Sequence, residues 1–182
     1  TAAMHGRLTL NPIAHVDIIW TILIPAVLLL TSGFVFGGAK PVPINPRNFK
    51  GSFRSALFWV AAAGPLMNLI LALISVLLLI PAAYMPGFFA EPLVNMLLAS
   101  VQINVMLALF NLLPLPPLDG GRIAVALLPP PADRALAEVE RFGLIIIVLL
   151  LATGILGMIL GPMMNGLIQM YLSIPAQFIG FG

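Results

Sequence analysis

The sequence contains no cysteine and few charged residues: only 8% of its 182 positions are Asp, Glu, Lys or Arg. The absence of cysteine excludes disulfide bonds and thiolate metal sites, so that a metal ion would have to be held by His, Asp or Glu. Soluble domains average roughly 25% charged residues, whereas this chain is 61% hydrophobic. That composition is typical of a membrane protein. The net charge of +2 is small and dispersed, which argues against nucleic acid as a partner.

Four uncharged apolar runs are each long enough to cross a bilayer, which takes about 20 residues of helix. They lie at about Ile18–Phe36, Ser55–Ile80, Leu93–Leu113 and Phe142–Leu160. The predicted fold class is therefore an all-α, multi-pass (polytopic) membrane protein with about four transmembrane helices.

The two ends of the chain differ from these runs. Residues 1–17 are mixed in polarity and include an alternating "RLTL", so we predict a loop with short irregular or β-like, membrane-associated structure. Beyond Leu160, polar residues recur at steps of four, a spacing that puts one polar stripe on a helix; they are Asn165, Gln169, Ser173 and Gln177. This predicts an interfacial helix over 161–182 rather than a further span. We expect a single transmembrane domain over 1–182, with its membrane core at 18–160.

Charge asymmetry between the loops predicts the orientation. The loop between the first two runs carries four cations and no acid; these are Lys40, Arg47, Lys50 and Arg54. By the positive-inside rule this loop lies in the cytoplasm. The next connection, residues 81–92, has no cation and is expected on the opposite side. The same cation counts put Asp119, beyond the following span, near the cytoplasmic side.

An acid, Asp119, stands in the proline-rich break "NLLPLPPLDGGRI" (residues 111–123) between two apolar runs. A carboxylate in a membrane segment costs at least ~2.5 kcal/mol, so it should be functional or paired. Two plainer alternatives are an intrahelical ion pair with Arg122 and a simple cytoplasmic loop. The prolines prevent a regular helix, and Gly120 and Gly121 allow close backbone approach. Irregular backbone at membrane depth is tolerated only inside protein or along a wet cavity, which favours a positioned acid.

Several motifs resemble those of the site-2 protease family of intramembrane zinc metalloproteases. The residues Asn111, Pro114, Pro116, Asp119 and Gly120 match its Asn-x-x-Pro-x-Pro-x-x-Asp-Gly signature. A second family element, Gly-x-x-x-Asn, matches "GPLMN", with Gly64 and Asn68 at its ends. The stretches Gly6–Asp17 and Ala39–Phe49 also resemble the bacterial single-domain branch that lacks a PDZ insertion.

The resemblance implies an activity and residue roles. It implies hydrolysis of a peptide bond in a transmembrane segment of a substrate, zinc as the cofactor, and a multi-pass location in the bacterial inner membrane among lipid. In the family the aspartate of the signature is the third zinc ligand, which here is Asp119. The asparagine, here Asn111, helps to position substrate or stabilise the oxyanion. Gly64, Asn68, Pro114 and Gly120 would support the site.

The asparagines also have a plainer interpretation. Amides in apolar spans commonly form interhelical hydrogen bonds, worth about 0.6 kcal/mol on average in membranes. A donor aimed at developing oxyanion charge can be worth about 2.7–4 kcal/mol in a transition state. Without the resemblance we would prefer the first interpretation; with it, Asn111 becomes a candidate catalytic residue and Asn68 a supporting one. For Gly64, Gly154, Gly157 and Gly161 we expect close helix packing.

One family element is missing from the sequence. The other two zinc ligands and the general base of the family come from H-E-x-x-H, whose histidines share one helical face. This chain has only His5 and His15, and neither has a glutamate beside it. Three explanations remain open: a zinc-binding helix precedes Thr1 in the natural protein, the ligands come from another chain, or the helix is absent. In the last case the protein would be a non-catalytic, structural subunit of a larger membrane complex.

Overall fold

The computed structural model describes residues 52–179 of the chain. The predicted span at Ile18–Phe36, the stretches Gly6–Asp17 and Ala39–Phe49, and both histidines lie outside these residues. The prediction of a single domain over 1–182 stays a prediction.

The described residues form six α-helices and no strand, which confirms the all-α fold class. The helices are α1 (Phe53–Ala82), α2 (Gly87–Asn111), α3 (Asp119–Leu127), α4 (Ala132–Glu138), α5 (Glu140–Ala152) and α6 (Ile155–Ile179). Three of them, α1, α2 and α6, are long and apolar enough to cross a membrane. The spans predicted at Ser55–Ile80 and Leu93–Leu113 correspond to α1 and α2, with α2 beginning six residues earlier than predicted.

The three long helices pack into a bundle around small and β-branched side chains. Its central cluster is Ala72, Val76, Val101 and Val105, against which α6 packs with residues from Met164 to Ile174. A second cluster, Leu79, Ala82 and Leu97, lies further along α1 and contacts Leu172 of α6. The order of these contacts shows that α2 runs antiparallel to α1, whereas α6 runs parallel to it.

Polar contacts inside the bundle join neighbouring helices. The hydroxyls of Ser75 on α1 and Ser100 on α2 lie 2.8 Å apart, within hydrogen-bond distance. The Tyr171 hydroxyl donates to the Leu69 backbone oxygen at 3.3 Å, which ties α6 to α1. Buried polar groups without partners are costly in an apolar setting, so these bonds fix which helix faces meet.

The structure differs from the prediction after Arg141. The span predicted at Phe142–Leu160 is divided by a turn at Thr153 and Gly154, where Gly154 adopts a φ of 75° that favours glycine. The part before the turn, α5, has 13 residues and rises roughly 20 Å, less than the hydrocarbon thickness of about 30 Å. The part after the turn, α6, has 25 residues and packs in the bundle. It is therefore a candidate span, and the predicted boundary between 160 and 161 falls within it. The predicted polar stripe on α6 is present and exposed.

The direction of the long helices places residues 112–154 at one end of the bundle. α2 passes Val105, which packs near Ala72, and then ends at Asn111, toward the Phe53 end of α1. α6 begins at Ile155, before its first contact with that cluster at Met164, and so starts at the same end. The intervening segment, with α3, α4 and α5, therefore starts and finishes there. We call this the Phe53 end.

A candidate metal centre around Asp119

Asp119 is the first residue of α3 and follows an irregular loop, residues 112–118. The prolines of this loop lack a backbone N–H and prevent α2 from continuing past Asn111. The loop is held by its own turns, in which Leu115 N donates to Leu113 O at 2.7 Å and Leu118 N donates to Leu115 O at 3.0 Å. The Asp119 carboxylate thus stands in the first turn of a helix, where the helix dipole favours negative charge.

Gly120 and Gly121 pack their backbones directly against this loop. A Cβ on Gly120 would overlap the backbone of Leu112 and Leu113, and a Cβ on Gly121 would overlap the backbone of Leu115 and Pro116. Real Cβ atoms do not approach backbone that closely, so a larger residue at either position forces the loop away from α3. Both glycines are buried. They fix the position of Asp119 relative to the end of α2.

Gly64 of α1 approaches Asp119 from another direction. A Cβ at position 64 would lie 3.1 Å from Oδ2 of Asp119. The two sequence motifs therefore meet at the Phe53 end of the bundle, although Gly64 and Asp119 are 55 residues apart along the chain. Asn68 lies one helical turn beyond Gly64, which puts it on the same face of α1, and it is half-buried.

Asn111 and Pro114 occupy the border between α2 and the loop. Asn111 is half-buried, and its Nδ2 donates to the Leu107 backbone oxygen of its own helix at 2.9 Å. That bond engages one of the two amide N–H groups. Pro114 is exposed, and its role here is to end the helix.

The electrostatics of Asp119 do not fit a simple ion pair with Arg122. The charges of Asp119 and Arg122 attract each other, but their side-chain atoms are not within salt-bridge distance. The salt bridge formed among the described residues joins Arg54 to Asp133 at 2.5 Å. Asp119 lies outside the three candidate spans. Burial raises the pKa of its carboxyl above the usual value, and the nearby Arg122 guanidinium partly offsets the shift. Within the described residues, Asp119 and Arg122 therefore attract each other without forming an intrahelical salt bridge.

Asp119 by itself supplies one carboxylate to a metal ion. Within residues 52–179 no three His, Cys, Asp or Glu side chains come together as a metal-binding group. A half-buried carboxylate that makes no salt bridge within those residues is suited to be one ligand, since Asp oxygen is an ordinary zinc donor.

Comparison with known proteins identifies the family. The profile of peptidase family M50 matches residues 86–153. The chain is 44% identical over 169 residues to a Bacillus subtilis protein named "Putative zinc metalloprotease YwhC", covering 91% of this chain and 74% of that protein. This chain belongs to the site-2 protease family, peptidase family M50. It is therefore a membrane protein of a zinc metalloprotease family.

A second relative is more distant and longer. "Putative zinc metalloprotease Rip2" of Mycolicibacterium smegmatis is 31% identical over 148 residues, which cover 81% of this chain. The chain spans about half of that relative, 54% of its length. No solved structure matches the chain significantly. The region matched by the M50 profile contains the whole loop, Asp119 and α5.

The structure also brings in residues that the sequence reasoning did not single out. Gly143 of α5 is buried against the loop, and a Cβ there would overlap the carbonyl oxygen of Pro116. Its signal in the sequence is a lone glycine in the apolar helix "RFGLIIIVLLL", a pattern that can mark a close approach. By contrast, a Cβ on Gly154, Gly157 or Gly161 would meet no described atom within 4 Å, so the close packing expected at those three positions is not found within residues 52–179.

Proposed function

We propose that this chain forms part of an intramembrane zinc protease that cleaves a peptide bond within transmembrane segments of other membrane proteins. The observation that carries the proposal is the meeting of Gly64 with Asp119, 3.1 Å from a Cβ on the glycine to Oδ2 of the acid. Two separated family motifs thereby converge on one carboxylate. They do so at one end of a bundle of three candidate spans, in a chain of family M50.

In this proposal Asp119 is one of three protein ligands of a zinc ion. When bound, zinc supplies a Lewis acid that activates water near neutral pH. In this proposal the other two ligands and the general base come from an H-E-x-x-H helix, a motif that these 182 residues do not contain.

The chain's own residues would bind and orient. Asp119 is held by the glycine contacts of α3 and α1, which keep its carboxylate in place without a salt bridge to Arg122. Asn111 has one N–H bonded to Leu107 O and a second to aim at the carbonyl oxygen of the scissile bond as negative charge develops there. Asn68, on the same face of α1 as Gly64, would support this arrangement.

The charge distribution supports an orientation with the site toward the cytoplasm. All four arginines of the described residues lie at the Phe53 end; they are Arg54, Arg122, Arg134 and Arg141. The connection at the opposite end of α1 and α2, residues 83–86, carries no charge. The positive-inside rule then places the Phe53 end, and Asp119 with it, on the cytoplasmic side. Since both relatives are bacterial, we propose the bacterial inner membrane as the location.

The decisive experiment compares Asp119→Ala with Glu138→Ala in the full-length protein, purified in detergent or nanodiscs. Glu138 is an exposed acid of α4 and controls for the loss of one carboxylate. We expect wild type and Glu138→Ala to hold roughly one zinc ion each and to cleave a transmembrane substrate. Asp119→Ala should lose both zinc and cleavage while its membrane insertion is unchanged. Full zinc occupancy in Asp119→Ala would contradict the assignment.

A second candidate is a non-catalytic subunit of a membrane complex. The observation in its favour is that no H-E-x-x-H occurs in the 182 residues. The same measurements separate the two candidates. A wild-type protein that purifies in fixed stoichiometry with partner subunits, without zinc and without cleavage, would support the subunit.

A further inference from the structure

Helix α5 is apolar on nearly every side, and its buried Gly143 lies against the loop of the candidate site. Most of its side chains are exposed, including Phe142, Leu144 and Ile145, whereas Gly143 is buried. A Cβ on Gly143 would overlap the carbonyl oxygen of Pro116 and lie 2.5 Å from Cδ of Pro117. The backbone of α5 therefore contacts the loop backbone directly, with no intervening side chain that could change its conformation to make room.

These contacts continue without a gap from α5 to Asp119. Pro116 touches Gly143 on one side and Gly121 on the other. Gly121 belongs to the first turn of α3, which Asp119 begins, and Gly64 of α1 closes the far side of the carboxylate. The order is thus α5, loop, α3 and α1, with glycine at each interface. Since close-packed backbone transmits displacement rather than absorbing it, a shift of α5 moves the loop and with it the start of α3.

We propose that Gly143 is a positioning residue that sets the location of the Asp119 carboxylate by letting α5 seat on Pro116 and Pro117. This inference rests on the proposed function, in which Asp119 is a zinc ligand. Gly143 touches neither substrate nor metal and acts through the loop. Altering a group that orients a metal ligand without touching the metal typically changes metal affinity or activity by about 10- to 100-fold. Gly143→Ala inserts one methyl group at the contact and should have an effect of that size.

The test measures zinc affinity, by competition with a chelator, in full-length wild type, Gly143→Ala and the matched control Gly157→Ala. Both variants place alanine in a helix, but a Cβ on Gly157 meets no described atom within 4 Å. We expect Gly143→Ala to lose about 10- to 100-fold in zinc affinity. Its substrate KM should stay near wild type, the overlap with Pro116 should also lower the unfolding midpoint of its metal-free form, and Gly157→Ala should match wild type throughout. Wild-type zinc affinity in Gly143→Ala would overturn the proposal.

A second variant covers the case in which Gly143→Ala does not fold. Ile147 lies one turn beyond Gly143 on the same face of α5 and is buried. Ile147→Ala removes packing beneath α5 without pushing on the loop, so zinc affinity should fall by a smaller factor with KM unchanged. Unchanged zinc affinity in Ile147→Ala, where Gly143→Ala cannot be measured, would overturn the proposal.

An Asp119→Ala background separates failure of this inference from failure of the proposed function. Asp119→Ala should bind zinc only weakly, at the high zinc concentrations of a titration; if Gly143 acts through Asp119, adding Gly143→Ala leaves that residual affinity unchanged. If Asp119→Ala itself retains wild-type zinc affinity, the proposed function fails. If Asp119→Ala loses zinc while Gly143→Ala keeps it, only the positioning role fails.

Discussion

The bundle of long helices and the segment at its Phe53 end are built on different principles. In the bundle, side chains pack against side chains, as in the cluster of Ala72, Val76, Val101 and Val105. At the Phe53 end, backbone packs against backbone at Gly120, Gly121 and Gly143, and Gly64 lies against the Asp119 carboxylate. Side-chain packing can relax around a change, whereas backbone contact cannot. The candidate ligand is thus held by the less adaptable of the two regions.

Two asparagines on one face of α2 allow the sharpest comparison of the regions. Asn104 lies in the bundle and Asn111, seven residues later, at the Phe53 end; each donates Nδ2 to the carbonyl four residues earlier at 2.9 Å. Since Asn111 is the proposed oxyanion donor, Asn111→Ala should lower kcat by about 10²–10³-fold with zinc content unchanged. Asn104→Ala should leave kcat within a fewfold of wild type. Equal effects in a steady-state cleavage assay would remove Asn111 from catalysis.

The glycine contacts predict the next largest effect. Gly120→Ala places a methyl group on the backbone of Leu112 and Leu113, and overpacking of this kind costs about 3 kcal/mol at the upper end of its usual range. We expect that loss in the free energy of unfolding, measured by denaturant titration in mixed micelles. The control is Gly166→Ala on α6, where a Cβ meets no described atom within 4 Å. Equal stability of the two variants would show that the loop can relax, against the backbone-packing description.

The bundle should respond more mildly to the removal of methyl groups. Val105 is fully buried between the helices, whereas Val148 on α5 is 55% exposed. Val105→Ala should cost roughly 1–3 kcal/mol through lost contacts and a residual cavity, and Val148→Ala much less. Both values come from the same denaturant titration. A cost for Val148→Ala as large as that for Val105→Ala would indicate that α5 is covered by a tightly packed partner.

The two long helices before Asp119 could be predicted from the sequence, because length and apolarity alone define a candidate span. The division of residues 142–160 could not. That run is apolar throughout, so periodicity does not show where a helix stops, and Gly154 is one of several glycines in the region. The boundary predicted after Leu160 lies inside α6, which begins at Ile155 and includes Pro162, since membrane helices tolerate proline.

The candidate site, too, could be predicted from the sequence only in part. Asp119 and the surrounding loop stand out from composition, because an acid among prolines in an apolar chain needs an explanation. The approach of Gly64 was implied by a family motif, but its contact with Oδ2 is a fact of tertiary packing. The contact of Gly143 could not be predicted from local sequence. Its partner, Pro116, is 27 positions away along the chain, and the residues around either position do not indicate the contact.

The central claim, that Asp119 is a zinc ligand, is tested most directly by X-ray absorption at the zinc edge in full-length Asp119→Cys. A cysteine ligand lies about 2.3 Å from zinc, whereas nitrogen and oxygen ligands lie at about 2.0–2.2 Å, and these 182 residues contain no native cysteine. The account predicts one sulfur neighbour near the longer distance in Asp119→Cys and none in the control Glu138→Cys. Zinc bound in Asp119→Cys with only nitrogen and oxygen neighbours would contradict it.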